Sequence, residues 1–510
     1  MTQRKRAKTV KPPARPVVAK SGRRTKRVKL RNLSEIRRYF IRNETPVYFV
    51  SATNFNLLGL DEWVRNFWFI NHIDCFDGAH PHTFVPQELP HEPFESIEDI
   101  NNYLLSHKQV VEFVRARAGG GTAGKALFLM FDEQTEELAT RLGLEVSFPP
   151  AALRQKIDDK IETTRIANEA GVPSVPNVLC KIEGYDDLRK KARKLGDSLV
   201  IQTAYGDSGH TTFFVEKEAD FAEHADEIVG ADEVKVMKRL RCRGSAQEAC
   251  VTRHGTIVGP LMTELVGFKE LTPYKGGWCG NEVVPDHFPA PVRRKARDMT
   301  FKLGEALRKR GYRGYFEVDY LTDLDTGKLY LGEINPRVTG ASSMTNLSAF
   351  AHADAPLVLF HLLEFMDVDF ELDVAEINER WSQPESLDPW SQMVIKSTGK
   401  AVDVVSAAPR TGVYHLHPDG RADFVRVQTH RRTVQREDRG FFLRIARPGD
   451  WCYEGADLGI LVTPGRLMTP EGELTPRAKS WIHGIRSHFH LGGVEPRRPE
   501  PVEVGGFKFL

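Results

Sequence analysis

Cysteine is scarce in this sequence: there are six in 510 residues, and Cys75, Cys180, Cys242, Cys250, Cys279 and Cys452 are scattered with no two-residue-spaced pair. That spacing excludes a disulfide-stapled scaffold or a paired-cysteine metal finger, and it fits reduced thiols. Acidic residues are missing altogether from residues 1–31, which carry thirteen Lys and Arg. No apolar run is long enough to span a bilayer, and the basic start of the chain lacks the apolar stretch of a secretory signal. The expectation is a cytoplasmic protein without a membrane partner. What is present is ample core-forming material, 41% hydrophobic against 27% charged residues. That balance excludes a mainly disordered chain, and at roughly 100–200 residues per domain the length predicts about three domains.

The formal net charge of +2 conceals two opposite parts. Taking the thirteen basic residues of 1–31 from the total of 71 leaves 58 against 69 acidic residues, a body of −11. The basic segment, interrupted by Pro12, Pro13 and Pro16, is too densely charged to collapse, so residues 1–44 read as a flexible tail. Such a tail could hold nucleic acid through counterion release; the plainer expectation is a solvated extension.

Residues 45–150 alternate short apolar runs (46–52, 126–131) with an amphipathic segment over 60–70 and helices over 96–117 and 132–142. That alternation predicts a small open α/β domain with a parallel sheet. A helix over 152–170 follows, stopped by Gly171 and Pro173. Strands at 174–181, 198–204, 212–216 and 233–240, with helices at 185–195 and 219–229, then form an α+β unit. Residues 247–365 form another, with a long helix over 291–310 and two strands flanking the turn-forming Asp325, Thr326 and Gly327. Beyond Met366 turn signals multiply, which predicts a β-rich C-terminal domain over 367–510. The fold class is therefore α/β and α+β, multidomain.

The chemistry is concentrated in 314–346, GYFEVDYLTDLDTGKLYLGEINPRVTGASSMTN. Folded as a hairpin, it puts Glu317 and Asp319 on one face of the first strand and Glu333 and Asn335 on one face of the second, because strand side chains repeat every two residues. Carboxylate and amide oxygens are the hard ligands that Mg²⁺ prefers when it also holds substrate phosphates. Arg337 adds a fixed cation at the border, and the set suits phosphoryl transfer by positioning and charge neutralisation. The plain alternative is a surface hairpin with alternating charges. Between two strands, YGDSGHTT (205–212) can fold over a polyphosphate with its backbone N–H groups. Lys160, near a helix start, is a long cation within reach of phosphate. Lys238, in the apolar run 236–240, lies where a nucleotide base could wedge between lobes.

Together these segments, over 151–366, resemble the ATP-grasp superfamily. Lys160 and GVPSVP (171–176) match the family's lysine and helix-ending turn, 205–212 its glycine-rich loop, and Met237, Lys238 and Leu240 its inter-lobe hinge. Asp319, Glu333 and Asn335 match its metal-binding strands, with Glu317 the alternative to Asp319. EINPRVTGASSMTN is similar to the corresponding stretch of carbamoyl-phosphate synthetase. The resemblance implies an ATP-grasp fold, with a lid at about 172–240 and a core at about 241–366, behind a Rossmann-like domain. It implies ATP with one or two Mg²⁺, or Mn²⁺. Lys160, Gln202, Tyr205, Gly206, Ser208, Gly209 and His210 would lie at the phosphates, and Arg337 at the transferring phosphoryl group. The activity implied is an ADP-forming carboxylate–amine ligase acting on small molecules, and a homo-oligomer is compatible with it.

One position departs from the family. The strand entering the loop usually ends in a phosphate-contacting lysine, and here it ends in Gln202, which can hydrogen-bond phosphate without offsetting its charge. Lys238 and Arg337 would then compensate, or the pocket is degenerate. Biotin carboxylases also carry a β-rich C-terminal region, and YEGADLGILVT (453–463) is faintly similar to theirs. After EINPR, however, this chain reads VTGASSM where those enzymes carry a Gln-Val-Glu-His stretch. That favours amino-acid or peptide ligation over a bicarbonate-activating reaction.

Three further signals carry less. GGGTAGKA (119–126) imitates a phosphate loop, but a helix precedes it, a strand follows it and Ala126 replaces the hydroxyl residue. His72, Cys75, His80 and His82 fall within eleven positions as a conceivable zinc set; Pro81 and the lack of a second paired motif favour ordinary loop histidines and a buried thiol. Trp63, Phe67 and Trp68, at helical spacing, read as core.

Overall fold

The computed structural model describes residues 29–88, 94–119, 123–204, 212–284, 287–347, 354–384, 387, 389–432 and 434–493. Residues 1–28 of the basic tail and the 205–211 loop lie outside them; residues 29–44, expected to belong to the flexible tail, instead form the strand Lys29–Leu30, paired with Asp369–Phe370, and the helix Leu33–Ile41, whose Ile36 and Phe40 are buried in the core.

The first unit is an open sheet of five strands in the order Thr83–Phe84, Phe67–Asn71, Val47–Ser51, Gly124–Phe128, Leu144–Val146, every pairing parallel. Its central strand Val47–Ser51 is buried along its whole length, as a strand covered on both faces must be. The amphipathic segment over 60–70 is not a helix. After a short 3₁₀ turn at Leu60–Glu62 the chain enters the strand Phe67–Asn71. Asn66, at φ 65°, reverses it. The expected 96–117 helix is two helices, Ile97–Ser106 and Lys108–Arg117, each with its own side-chain cap.

A four-stranded antiparallel sheet follows, where the lid is expected, in the order Asn177–Cys180, Val234–Lys238, Leu199–Gln202, Thr212–Val215. Leu199, Ile201, Val234 and Val236 pack with Leu188 and Phe221 into the lid's own core. By the alternation of a strand, Gln202, Lys235 and Met237 point the other way.

The largest element is a ten-stranded antiparallel sheet. It runs Leu329–Asn335, Gly314–Asp323, Cys242–Thr252, Gly255–Val266, Trp278–Val283, then Trp390–Lys396, Asp457–Pro464, Arg439–Arg444, Gly412–Leu416, Ala422–Arg426. The C-terminal region is β-rich as expected, and five of its strands continue this sheet. Trp278–Val283 would otherwise be an open edge, and Trp390–Lys396 pairs along it, supplying the ladder an edge lacks. The helix Ala290–Lys309 buries Met299, Leu303 and Leu307 against the sheet's other face.

Two joints set the lid over the hairpin. The helix expected over 152–170 breaks at Asp159, whose carboxylate accepts from the N–H groups of Ile161 and Glu162 at 2.7 and 3.0 Å and so caps a second helix, Lys160–Ala170. This cap puts Lys160 at the helix's first position, its N–H bonded to the carbonyl of Ala204 at 2.9 Å. That helix stops at Gly171, at φ 66°, a left-handed position that glycine adopts without strain. The chain then runs along the hairpin, where Leu331 N–H donates to Pro173 O at 2.9 Å.

Candidate active site

Between lid and sheet lies a cleft of about 520 Å³. Its floor is the hairpin Gly314–Asp323 and Leu329–Asn335, whose register sets Glu317 opposite Asn335 and Asp319 opposite Glu333. All four side chains line the cleft. A bulge between Asp319 and Tyr320 takes up Gly332 as the extra residue. A Cβ at 332 would stand 3.1 Å from Asp319 O, so a side chain there would press on the opposite strand.

The Asn335 amide donates to Asp319 Oδ2 at 2.9 Å and Glu317 Oε2 at 3.3 Å, and its Oδ1 accepts from Arg337 Nη2 at 3.1 Å. As placed, the amide turns its NH₂ toward the carboxylates, whereas a metal ligand would have to present Oδ1. Lys160 Nζ stands 3.5 Å from Glu333 Oε2 with its side chain almost wholly buried. Gln202 and Thr212 line the cleft and are bonded to each other, Nε2 to Oγ1, at 3.2 Å.

Glu264 and Lys235 were not singled out in the sequence. Glu264 joins the lining from the strand Gly255–Val266, opposite Gly244, where a Cβ would come within 2.4 Å of Glu264 Oε2. Lys235 lies behind the lining, fully buried, its ammonium donating to Gly332 O at 3.3 Å. Neither has a local signal: a lone acid or lysine in an apolar strand reads as a solvated edge residue.

The acids repel one another. Burial, then Glu248 and Glu264, push Glu317 well above the usual carboxylate range. Burial, then Glu317, Glu264 and Glu333, do the same to Asp319. Burial and Glu333 push Glu264 up to about 7. Lys235 is pushed down to about 8 by burial, with Glu333 opposing and Lys160 adding to the shift. Such a cluster calls for a counter-cation. Among the described residues no three His, Cys, Asp or Glu side chains enclose a metal by themselves. The donor set fits an ion that takes one or two carboxylates and completes its shell with water and phosphate, which is the habit of Mg²⁺.

Of the other expected positions, Met237 lines the cleft, and Arg337 closes one end with Thr339, Gly340 and Trp278. Lys238 does not reach it. It follows Met237 in the strand, so it turns to the other side, is exposed and is not among the cleft-lining residues. Leu240 is half-buried beyond the strand's end and is not in the lining. Tyr205, Gly206, Ser208, Gly209 and His210 lie outside the described residues.

The histidines near the first sheet are used locally. His82 Nδ1 is 3.0 Å from Asp61 Oδ2, His80 packs edge-on against Phe69, and His72 against Phe94. Cys75 is buried, its thiol pushed up to about 12 by burial.

No protein-family model matches the chain. The D-alanine–D-alanine ligase of Treponema denticola is 25% identical over 228 residues, 42% of this chain and 61% of that protein. The mitochondrial methylcrotonoyl-CoA carboxylase subunit alpha of Arabidopsis thaliana is 24% identical over 317 residues, 59% of this chain and 39% of that one. The chain thus spans less than two thirds of the length of either curated relative. Among solved structures, a Campylobacter jejuni biotin carboxylase in complex with a β,γ-ATP ligand superimposes with a TM-score of 0.56 at 12% identity, covering 88% of this chain and 92% of that one. Phosphoribosylamine–glycine ligase of Thermotoga maritima gives a TM-score of 0.52 at 14% identity, covering 88% and 98%. At these identities the likeness is one of fold.

Proposed function

We propose that this chain, a member of the ATP-grasp superfamily by its fold, is an ATP-dependent ligase that joins a small-molecule carboxylate to an amine. The observation that carries this reading is the hairpin register, which sets Asp319 against Glu333 and Glu317 against Asn335 on the cleft floor, with Lys160 and Arg337 as the cations on either side.

In the proposed reaction a carboxylate oxygen attacks the γ-phosphorus of ATP, the bond to the β-phosphate oxygen breaks, and ADP leaves. The amine then attacks the acyl carbon, phosphate departs with the bridging oxygen, and the amine loses a proton as the C–N bond forms. Asp319 or Glu317, with Glu333 and Asn335, would hold Mg²⁺, which when bound offsets phosphate charge. Lys160 orients the phosphates, and Arg337 faces the transferring phosphoryl group and the acyl phosphate, where fixed donors are worth most because they need no reorganisation.

The lining beyond Arg337 continues as Thr339, Gly340 and Ala341. No helix among the described residues is long and apolar enough to cross a membrane, and all six cysteines are free. The free thiols support a reducing, cytoplasmic location.

The test is ADP release with pooled amino acids and small carboxylates, compared between the wild type and Glu333→Gln. Release that needs both a carboxylate and an amine, and is lost in the variant, is the expected result. Stimulation by bicarbonate alone would identify a carboxylase instead.

A further inference from the structure

We propose that Lys235 supplies, from the neighbouring strand, the cation for the nucleotide phosphates that the Gln202 position does not provide; this rests on reading the cleft as an ATP site. Lys235 and Gln202 are direct partners across the lid ladder, and Gln202 pairs in turn with Thr212. Directly opposed residues of an antiparallel pair present their side chains on one face with Cβ atoms about 4.5–5.5 Å apart. Lys235, Gln202 and Thr212 therefore form one row across the lid face that looks into the cleft, and the latter two line it. A charge moved from Gln202 to Lys235 travels one strand spacing, about 5 Å, and remains at the same end of the cleft.

The burial of Lys235 needs a reason beyond packing. The side chain is wholly removed from solvent, and its hydrogen bond goes to the neutral carbonyl of Gly332. Taking an ammonium out of water is costly unless opposite charge is at hand, and a methionine would fill the same space without that cost. The nearby acid is Glu333, on the cleft side of Gly332. Around the cleft, four lining acids (Glu264, Glu317, Asp319 and Glu333) face two lining cations, Lys160 and Arg337. A divalent ion at the hairpin offsets part of that excess, and a polyphosphate then adds more negative charge. Lys235 is a third cation, on the Lys160 and Glu333 side, held from behind the lining by the register of the lid.

The experiment is equilibrium binding of ADP and of adenosine to the full chain, with Mg²⁺ and with a chelator. Lys235→Gln should weaken ADP binding by about 30-fold or more, both with metal and without, and leave adenosine binding within about threefold. The swap Gln202→Lys with Lys235→Gln should restore ADP affinity to within about fivefold of the wild type, which a purely structural lysine would not allow. ADP affinity unchanged in Lys235→Gln, or a swap as weak as the single variant, overturns the inference. If Lys235→Gln does not fold, Lys235→Arg and the swap carry the test: both keep the charge, and an ADP loss of 30-fold in either overturns it. A wild type that binds no ADP at all is a different failure, that of the ATP-site reading itself.

Discussion

The ring of Trp278 occupies the space where a side chain on residue 340 would stand, because a Cβ built on Gly340 comes within 2.4 Å of Trp278 Cη2. Both residues line the Arg337 end of the cleft, and the indole N–H is held by Asn281 Oδ1 at 3.2 Å. Gly340→Ala should push the ring into the cleft. Overpacking of this kind costs about 1–3 kcal/mol, readable by denaturant titration. The KM for carboxylate or amine should rise more than that for ATP. A variant with wild-type stability and kinetics would remove Trp278 from the substrate wall.

Asp319→Asn should separate function from stability. Three carboxylates press on Asp319, and the neutral amide relieves them. Without metal at pH 8 the variant should be more stable than the wild type, because the amide removes a buried charge that its neighbours repel. With Mg·ADP the order should reverse, and turnover should fall at least a hundredfold. Thermal unfolding with and without Mg·ADP checks both halves.

The pH dependence follows from Glu264, whose pKa is pushed up to about 7 from an ordinary value of 4.5. For an acid raised in the folded state, the unfolded chain releases its proton first as pH rises. Stability is therefore full below about 4.5, declines as the pH climbs to about 7, and is flat above that, with a decline of no more than about 3 kcal/mol from this group. Glu264→Gln should flatten that part of the curve, and so should saturating Mg·ADP. A metal-free wild type that gains stability between pH 5 and pH 7 would contradict the crowding of acids on the floor.

Cys242 is the one exposed cysteine, and it lines the cleft. Burial, then Asp323, push its thiol above the ordinary value, so alkylation should be slow at neutral pH and speed up as pH rises. Mg·ADP should protect it. Mass mapping should place the label on Cys242, while the buried Cys75, Cys250, Cys279 and Cys452 stay unmodified.

How far the sequence reaches can be seen residue by residue. The floor is legible because a strand's two-residue period and the turn at Asp325, Thr326 and Gly327 leave few ways to fold 314–335, and the observed register has the expected acids on one face. The stop at Gly171 is legible because glycine takes the left-handed cap. The break at Asp159 is not, since an acid inside an amphipathic run looks like a helix surface until its carboxylate caps the next turn. The 60–70 segment misleads because Trp63, Phe67 and Trp68 fit a helical stripe, whereas the parallel pairing of Phe67–Asn71 with Val47–Ser51 decides its form. Glu264, Lys235 and the sheet's continuation through Trp390–Lys396 depend on pairing between strands far apart in the chain, which no local pattern records.

The most direct measurement follows oxygen. Carboxylate pools labelled with ¹⁸O are incubated with ATP, Mg²⁺ and amine pools, and the released phosphate is weighed. Transfer of one labelled oxygen per ADP, absent in Glu333→Gln, is the result expected of a cleft that activates a carboxylate by phosphorylation. ADP formed with unlabelled phosphate, or no ADP from any pool, would contradict it.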